Sequence, residues 1–180
     1  MLLPNWLGEM LRLGLQLSYW QQLGLAFLLG SFAVATWSDL NYLAAQREFL
    51  EVWLLFLVVV LIHDAIQVHL GRVAGGAILG KWLLLAVLSL LSLGQVGVLF
   101  RLAPGDVAAL AAASSLLSPV LIVCLFLIAR GLAMLLAPIL ARGRPVYPFM
   151  PVVTMATVAV LMLGLVMASV SAGPVGLPHE

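Results

Sequence analysis

Two aspartates stand where apolar runs of the chain begin or end. Asp39 follows the apolar run 19–37, and Asp106 precedes the run 107–117, directly after a proline–glycine turn. Ionisable groups in membrane-type segments are costly, so each is a functional candidate by default. When two carboxyl groups lie close together and partly shielded from water, one keeps its proton while the other ionises. Such a pair can act as general base and general acid in peptide hydrolysis, without a metal ion or a nucleophilic side chain.

The composition indicates that the chain lies in a membrane. Of its 180 residues, 64% are hydrophobic and 8% are charged, whereas a soluble domain has about half and about a quarter, respectively. The apolar runs are long and do not alternate, which favours an all-α polytopic membrane protein over a β-barrel. A net charge of +1 gives no reason to expect a nucleic-acid partner, and the single cysteine, Cys124, can form no internal disulfide.

The apolar runs divide the chain into three parts. Residues 1–18 carry leucines four positions apart and are predicted to form an amphipathic segment at the membrane surface, with a secretory signal as the alternative. Residues 19–171 form a predicted domain of six transmembrane helices, and residues 172–180 a flexible tail. The predicted helices cover 19–37, 51–66, 77–100 and 107–117, then run from the Ser118-Pro119 break to about 140, and from the segment 147–151 to about 171.

The number of membrane crossings decides which aspartates can meet. Asp39 ends the first predicted helix and Asp106 begins the fourth, so the second and third helices separate them. Both therefore face the same side of the membrane, whereas Asp64, at the end of the second helix, faces the opposite side. Among these three aspartates only Asp39 and Asp106 can form a pair. Lys81, near the start of the third helix, is expected to extend its amine outward to the membrane surface.

Both aspartates also have a plain structural interpretation. Asp106, preceded by proline and glycine, is placed to be the N-cap of its helix, where a carboxylate binds free backbone N–H groups. Asp39 could be a solvated helix end. Other chemistry has less support, because His63 and His69 are six residues apart and would not share a helix face, so we expect no metal and no cofactor. The H-E-x-x-H and G-x-S-x-G motifs of zinc proteases and serine hydrolases do not occur.

Three short motifs resemble the type IV prepilin peptidase family, the membrane aspartyl proteases that include preflagellin peptidases. Ser38-Asp39-Leu40 is similar to the family's first motif, at the cytoplasmic end of the first helix. Gly105-Asp106-Val107 is similar in part to the G-x-G-D motif that opens the fourth helix, and Pro148-Phe149-Met150-Pro151 to the element that opens the last helix. The resemblance covers about residues 20–170 and implies a six-helix membrane core with Asp39 and Asp106 as the catalytic pair.

The resemblance also implies a substrate and the residues that position it. Members of the family cut a basic leader from pilin-like or flagellin-like precursors at the cytoplasmic face of a prokaryotic cell membrane, so membrane lipids surround them. Residues implied to bind or position the precursor here are Gly105, Glu48, Glu51, Pro148 and Phe149. The two glutamates could attract a basic leader, or could be solvated acids at a helix start. The balance of cations favours a cytoplasmic location for this face, with Arg47, Arg101, Arg142 and Arg144 on it against Arg12, Arg72 and Lys81 on or near the other.

The chain also departs from the family pattern. Ala103 stands where the second motif has its first glycine, and Ala108 where a lysine usually follows. Residues 40–50 are too short to hold the cysteine-bearing insert of the larger members, so the chain resembles the short, cleavage-only forms. These departures leave open a second hypothesis, a catalytically inactive relative that acts as a membrane binding or assembly factor.

A third hypothesis is a small transporter or channel subunit. It is disfavoured because the second and third helices are almost wholly apolar inside and no inverted repeat is visible. Arg130 is the one cation inside the fifth predicted helix, where it must pair or extend to a surface. It could bind a carboxylate or a lipid head group.

Overall fold

The computed structural model describes residues 19–42, 47–94, 96–141 and 148–171. Within these ranges the chain forms six α-helices and no β-strand. The helices are α1 (Tyr19–Tyr42), α2 (Arg47–His69), α3 (Gly75–Ser92), α4 (Pro104–Ser115), α5 (Pro119–Ala141) and α6 (Met150–Ser171). The predicted amphipathic segment 1–18 and the predicted tail 172–180 lie outside the described residues.

Four of these helices, α1, α2, α3 and α5, are long and apolar enough to cross a membrane. The shortest of them has 18 residues, and at about 1.5 Å per residue it measures about 27 Å, close to the hydrocarbon thickness of a bilayer. Large apolar side chains such as Leu55, Leu83 and Leu135 are exposed on their outer faces, as contact with lipid requires. The expectation of an all-α membrane protein is therefore confirmed. The apolar segments of the other two helices are shorter than these four: the segment in α6 is Met150–Gly164, and α4 has 12 residues in all.

Helix α4 forms the centre of the bundle. It packs against each of the five other described helices, and its residues 107–115 are all buried. Five of these nine residues are alanines and two are serines, and such small side chains let neighbouring helices approach closely. A Cβ atom at Gly24 of α1 would lie 3.1 Å from Leu116 and 3.2 Å from Phe56. Helix α1 therefore lies in close contact with both the C-terminal end of α4 and α2.

The connection between α3 and α4 is irregular where the sequence predicted helix. We expected the third helix to continue to residue 100, but α3 ends at Ser92. Leu102 N–H donates to the Ser92 carbonyl over 3.1 Å, and Gly94 N–H donates to the Leu102 carbonyl over 3.0 Å. Gly97 has a φ of +58°, which interrupts a helix and which side-chain-bearing residues rarely adopt. The connection thus folds back on the end of α3 and starts α4 at that same end of the bundle.

The break between α4 and α5 lies at the predicted position. Pro119 is the first residue of α5, where its missing N–H has no helical partner to lose. Ser118 precedes it, and its hydroxyl oxygen accepts a hydrogen bond from Leu121 N–H over 3.5 Å. This is the arrangement of a serine N-cap. The chain therefore reverses here and α5 runs back toward the end where α4 begins.

Helix α1 is fixed between α2 and α6 by polar and aromatic contacts. Trp53 of α2 donates its indole N–H to the Ser31 hydroxyl over 3.1 Å, and its ring meets the Phe32 ring edge-on at 5.6 Å. On the other side, the hydroxyls of Thr36 and Thr154 are 2.9 Å apart. Edge-on aromatic pairs and buried hydrogen bonds hold helices in one rotational register. The C-terminal half of α1, which carries Asp39, therefore has a defined orientation.

A buried ion pair joins α2 and α3 at the opposite end of the bundle. Lys81 Nζ lies 2.7 Å from Asp64 Oδ2, and the Trp82 indole N–H donates to the same oxygen over 2.9 Å. His63 Nδ1 lies 3.8 Å from the other carboxylate oxygen. The prediction that the Lys81 amine reaches the membrane surface is wrong, because a carboxylate on the neighbouring helix pairs with it inside the bundle.

Candidate functional site

Asp39 lies in the last turn of α1 and is buried against the start of α6. Its Oδ2 accepts a hydrogen bond from Met150 N–H over 2.9 Å. The backbone of Phe149 is a second hydrogen-bond partner. Backbone N–H groups in the first turn of a helix have no carbonyl acceptor within that helix, so they need a partner from elsewhere. Asp39 therefore caps α6 from a different helix, 111 residues away in the chain.

Asp106 lies in the first turn of α4 and is half-buried. The residue at the N-cap position is Ala103, and Pro104 opens the helix, so the prediction that Asp106 is itself the N-cap is wrong by three positions. Its carboxyl group interacts with the backbone of Ala103 instead. That is the geometry in which an acid at the third helical position reaches back to the N-cap N–H.

The structure brings Asp39 and Asp106 together at one end of the bundle. The pKa of Asp106 is raised to about 7, chiefly by the loss of surrounding water and next by the negative charge of Asp39, while the backbone hydrogen bond at Ala103 opposes both effects. An ordinary aspartate has a pKa of 3.8. A charge on one carboxyl group that resists ionisation of the other is the behaviour of two carboxyl groups sharing a site. At neutral pH, Asp106 therefore exists in both protonated and ionised forms.

An open cleft of about 540 Å³ lies beside Asp106. Its walls are mainly apolar, and they come from the α3–α4 connection, the start of α4, one face of α5 and the start of α6. The lining residues are Phe100, Arg101, Leu102, Ala103, Asp106, Arg130, Ala133, Met134, Ala137 and Phe149. The volume falls within the range of cavities that bind small ligands or peptide side chains. One carboxyl group of the aspartate pair therefore faces a space that a ligand can enter.

A line of stacked side chains runs along this cleft. The Arg130 guanidinium lies over the Phe100 ring, 5.7 Å from its centre, and donates a hydrogen bond to the Leu99 carbonyl. Phe100 in turn meets the Phe149 ring edge-on at 5.7 Å. Phe149 directly precedes Met150, whose N–H binds Asp39. A continuous set of contacts thus links a cation in the middle of α5 to the aspartate pair.

The other residues that the sequence singled out lie at the same end but in different environments. Gly105 is half-buried in the first turn of α4, and Pro148 is buried just before α6. Phe149 is buried and lines the cleft. Glu48 and Glu51 are exposed on the first turns of α2. The described lining of the cleft includes neither glutamate.

Sequence reasoning missed the cleft itself and the role of Arg130 in it. Phe100, Arg130 and Phe149 come from three distant parts of the chain, so no local motif joins them. The only sequence signal was an arginine within an apolar helix. Over the described ranges, no three histidine, cysteine, aspartate or glutamate side chains are grouped so as to hold a metal ion. No protein-family model, no curated protein and no solved structure matches the chain.

Proposed function

We propose that this chain is a membrane aspartyl peptidase that uses Asp39 and Asp106 to activate water. The observation that carries the proposal is the electrostatic coupling of these two carboxyl groups beside an open cleft. Perturbed carboxyl groups that face a cleft are more common at catalytic sites than elsewhere. The resemblance of the three motifs to prepilin peptidases points to the same two residues.

In the proposed mechanism Asp106 holds the proton and Asp39 carries the negative charge. Asp39 takes a proton from water, the water oxygen attacks the peptide carbonyl carbon, and Asp106 donates its proton to the carbonyl oxygen. Asp39, now protonated, then donates its proton to the amide nitrogen while Asp106 takes a proton from a hydroxyl group of the tetrahedral intermediate, and the C–N bond breaks to leave a carboxylic acid and an amine. This step returns both carboxyl groups to their starting protonation states.

The proposed substrate is a pilin-like or flagellin-like precursor with a basic leader and an apolar segment that enters the membrane. Asp39 and Asp106 would face the cytoplasm of a prokaryotic cell, and all six helices would form the membrane domain, with α4 enclosed by the others. Glu48 and Glu51 are exposed near this end of the bundle and could attract the basic leader as it approaches. Gly105, Pro148 and Phe149 would shape the entrance beside the two acids.

The test is a cleavage assay in liposomes with pilin-like precursors from the same genome. Asp106→Asn removes the group proposed to donate the proton, and we expect the rate to fall by about 10²- to 10⁴-fold, the usual contribution of acid–base catalysis. Asp64→Asn is the matched control, since it neutralises an aspartate at the opposite end of the bundle; because it also breaks the ion pair with Lys81, its rate is compared per folded molecule. Cleavage per folded molecule should survive in this control. Equal rates for Asp106→Asn and the unmodified protein would contradict the proposal.

A second candidate function is a non-cleaving relative that binds a membrane helix during assembly. The observation that favours it is the hydrogen bond from Met150 N–H to Asp39, which is also how an aspartate with a purely structural role caps a helix. Ala103 and Ala108, which stand where the family has glycine and lysine, point the same way. This candidate predicts that a pilin-like precursor binds and stays intact, and that Asp39→Asn binds it equally well.

A further inference from the structure

The start of α6 is held from two sides. On one side, Met150 N–H donates a hydrogen bond to Asp39 Oδ2 over 2.9 Å, and the Phe149 backbone bonds to the same carboxyl group. On the other side, the Phe149 ring meets the Phe100 ring edge-on, with 5.7 Å between the ring centres. Both rings are buried. Phe149 therefore contacts Phe100 through its ring and Asp39 through its backbone, so a shift of the ring displaces the groups that bind Asp39.

Phe100 is itself held in place, because the residues around it are fixed to α3 and α5. Leu99 N–H donates to the Leu91 carbonyl of α3 over 3.0 Å, and Leu102 N–H donates to the carbonyl of the last residue of α3 over 3.1 Å. From α5, the Arg130 guanidinium donates to the Leu99 carbonyl and lies over the Phe100 ring. The Phe100 ring is therefore a fixed support against which the Phe149 ring rests.

This support bears on the precision with which Asp39 is held. An aspartate side chain has several low-energy rotamers, and hydrogen bonds from a fixed backbone select one of them. A catalytic group has to be held within about 0.5 Å of its productive position. The two rings also belong to the wall of the cleft beside Asp106. The ring pair therefore connects the space that a ligand enters to the backbone groups that bind Asp39.

We propose that Phe100 is a positioning residue for Asp39: it supports the Phe149 ring and thereby holds the backbone N–H groups that orient the Asp39 carboxylate beside Asp106. The inference rests on the proposed function where it treats Asp39 as the catalytic base. It adds a residue that no sequence motif indicated, on the connection between α3 and α4, which carries neither of the two acids.

The proposal predicts a particular change in the kinetics of cleavage. Phe100→Leu keeps an apolar side chain but removes the ring that Phe149 meets. A displacement of about 1 Å at a catalytic group lowers the rate by about 10²-fold, so kcat per folded molecule should fall by about 10- to 100-fold. KM should change little, and Phe100→Tyr, which keeps the ring, should retain kcat. A rise in KM with unchanged kcat in Phe100→Leu would overturn the proposal, since Phe100 would then only contact the substrate.

Amide hydrogen exchange of Met150 reports on the start of α6 without any cleavage. The chain has seven methionines, so protein with isotope-labelled methionine gives few amide signals, and Met150→Leu identifies the relevant one. We expect Met150 N–H to exchange about tenfold faster in Phe100→Leu, because its hydrogen bond to Asp39 opens more often. Phe100→Tyr should exchange as slowly as the unmodified protein. Phe56→Leu is the matched control and should leave the exchange unchanged, since Phe56 stacks on Phe27 in a pair outside the described lining of the cleft.

A second variant keeps the test decisive if Phe100→Leu does not fold. Phe149→Leu removes the other ring of the pair and should have the same two effects, and the double variant should be no worse than either single one. Losses that add would overturn the proposal, because the two rings would then act separately. So would slow Met150 exchange in folded Phe100→Leu, or fast exchange with unchanged kcat, which would leave the hydrogen bond as a cap of α6 alone. Faster exchange in a protein that cleaves no precursor would instead support the role of the rings and reject the peptidase function.

Discussion

Replacing Asp39 with asparagine should lower the pKa of Asp106. The side chains are nearly the same size, and an amide oxygen can still accept the hydrogen bond from Met150 N–H. The substitution therefore removes a charge and keeps the cap of α6. That charge is the second largest cause of the raised pKa of Asp106, after the loss of surrounding water. The pKa should fall from about 7 but stay above the ordinary 3.8, because Asp106 remains shielded from water.

The size of the effect follows from the titration of a single group. With a pKa of about 7, Asp106 is about 90% protonated at pH 6 and about 10% protonated at pH 8. Infrared difference spectroscopy on protein with isotope-labelled aspartate detects the carboxyl C=O band of the protonated form, and Asp106→Asn identifies the band. We expect its midpoint near pH 7 in the unmodified protein and at lower pH in Asp39→Asn. An unchanged midpoint in Asp39→Asn would refute the coupling of the two carboxyl groups.

Four further predictions concern activity and stability. Because the protonated form of Asp106 is the proposed acid, the cleavage rate should fall as pH rises through about 7; a rate that keeps rising to pH 9 would argue against this role. The folded protein binds the proton of Asp106 more tightly than the unfolded chain does, so the free energy of unfolding falls as pH rises from about 4 to about 7. Asp106→Asn removes this group and should therefore raise Tm more at pH 8 than at pH 5. Asp64→Asn should destabilise the protein by about 3–5 kcal/mol, because it leaves Lys81 buried without its carboxylate. Replacing both residues with apolar ones should recover much of this loss. In a double-mutant cycle, losses of stability that simply add would contradict a direct pair. Asp39→Ala should lower stability by about 1 kcal/mol more than Asp39→Asn, because only asparagine still caps α6.

The meeting of Asp39 and Asp106 could be predicted from the sequence because it depends on few features. The prediction needed only the positions of the apolar runs and the number of membrane crossings between the two residues. Neither changes if the predicted helix ends are wrong by several residues. The same argument kept Asp64 apart, and the structure places it at the opposite end. Its partnership with Lys81 depended on how α2 and α3 are rotated toward each other, which the apolar pattern of the two helices does not encode.

The boundary of α3 and the cleft could not be predicted for a different reason. Apolar residues continue past Ser92, so periodicity alone extends the helix, and only Gly94 and Gly97 hint that it stops. The connection is held by hydrogen bonds to Leu102, which become available only after the chain has folded back. The cleft needs that fold-back as one wall, and Arg130 on α5 as another. Both are products of tertiary packing between segments about 30 residues apart.

The central claim, that Asp39 and Asp106 act together on water, is tested most directly by the cleavage rate of Asp39→Asn. This variant keeps the hydrogen bond to Met150 and the packing of α1 against α6 and removes the repulsion between the two carboxyl groups, so its thermal stability should be no lower than that of the unmodified protein. We predict a fall in cleavage of about 10²- to 10⁴-fold in well-folded protein, because the proposed base is gone. Unchanged cleavage in Asp39→Asn would contradict the claim and leave Asp39 as the structural cap of α6.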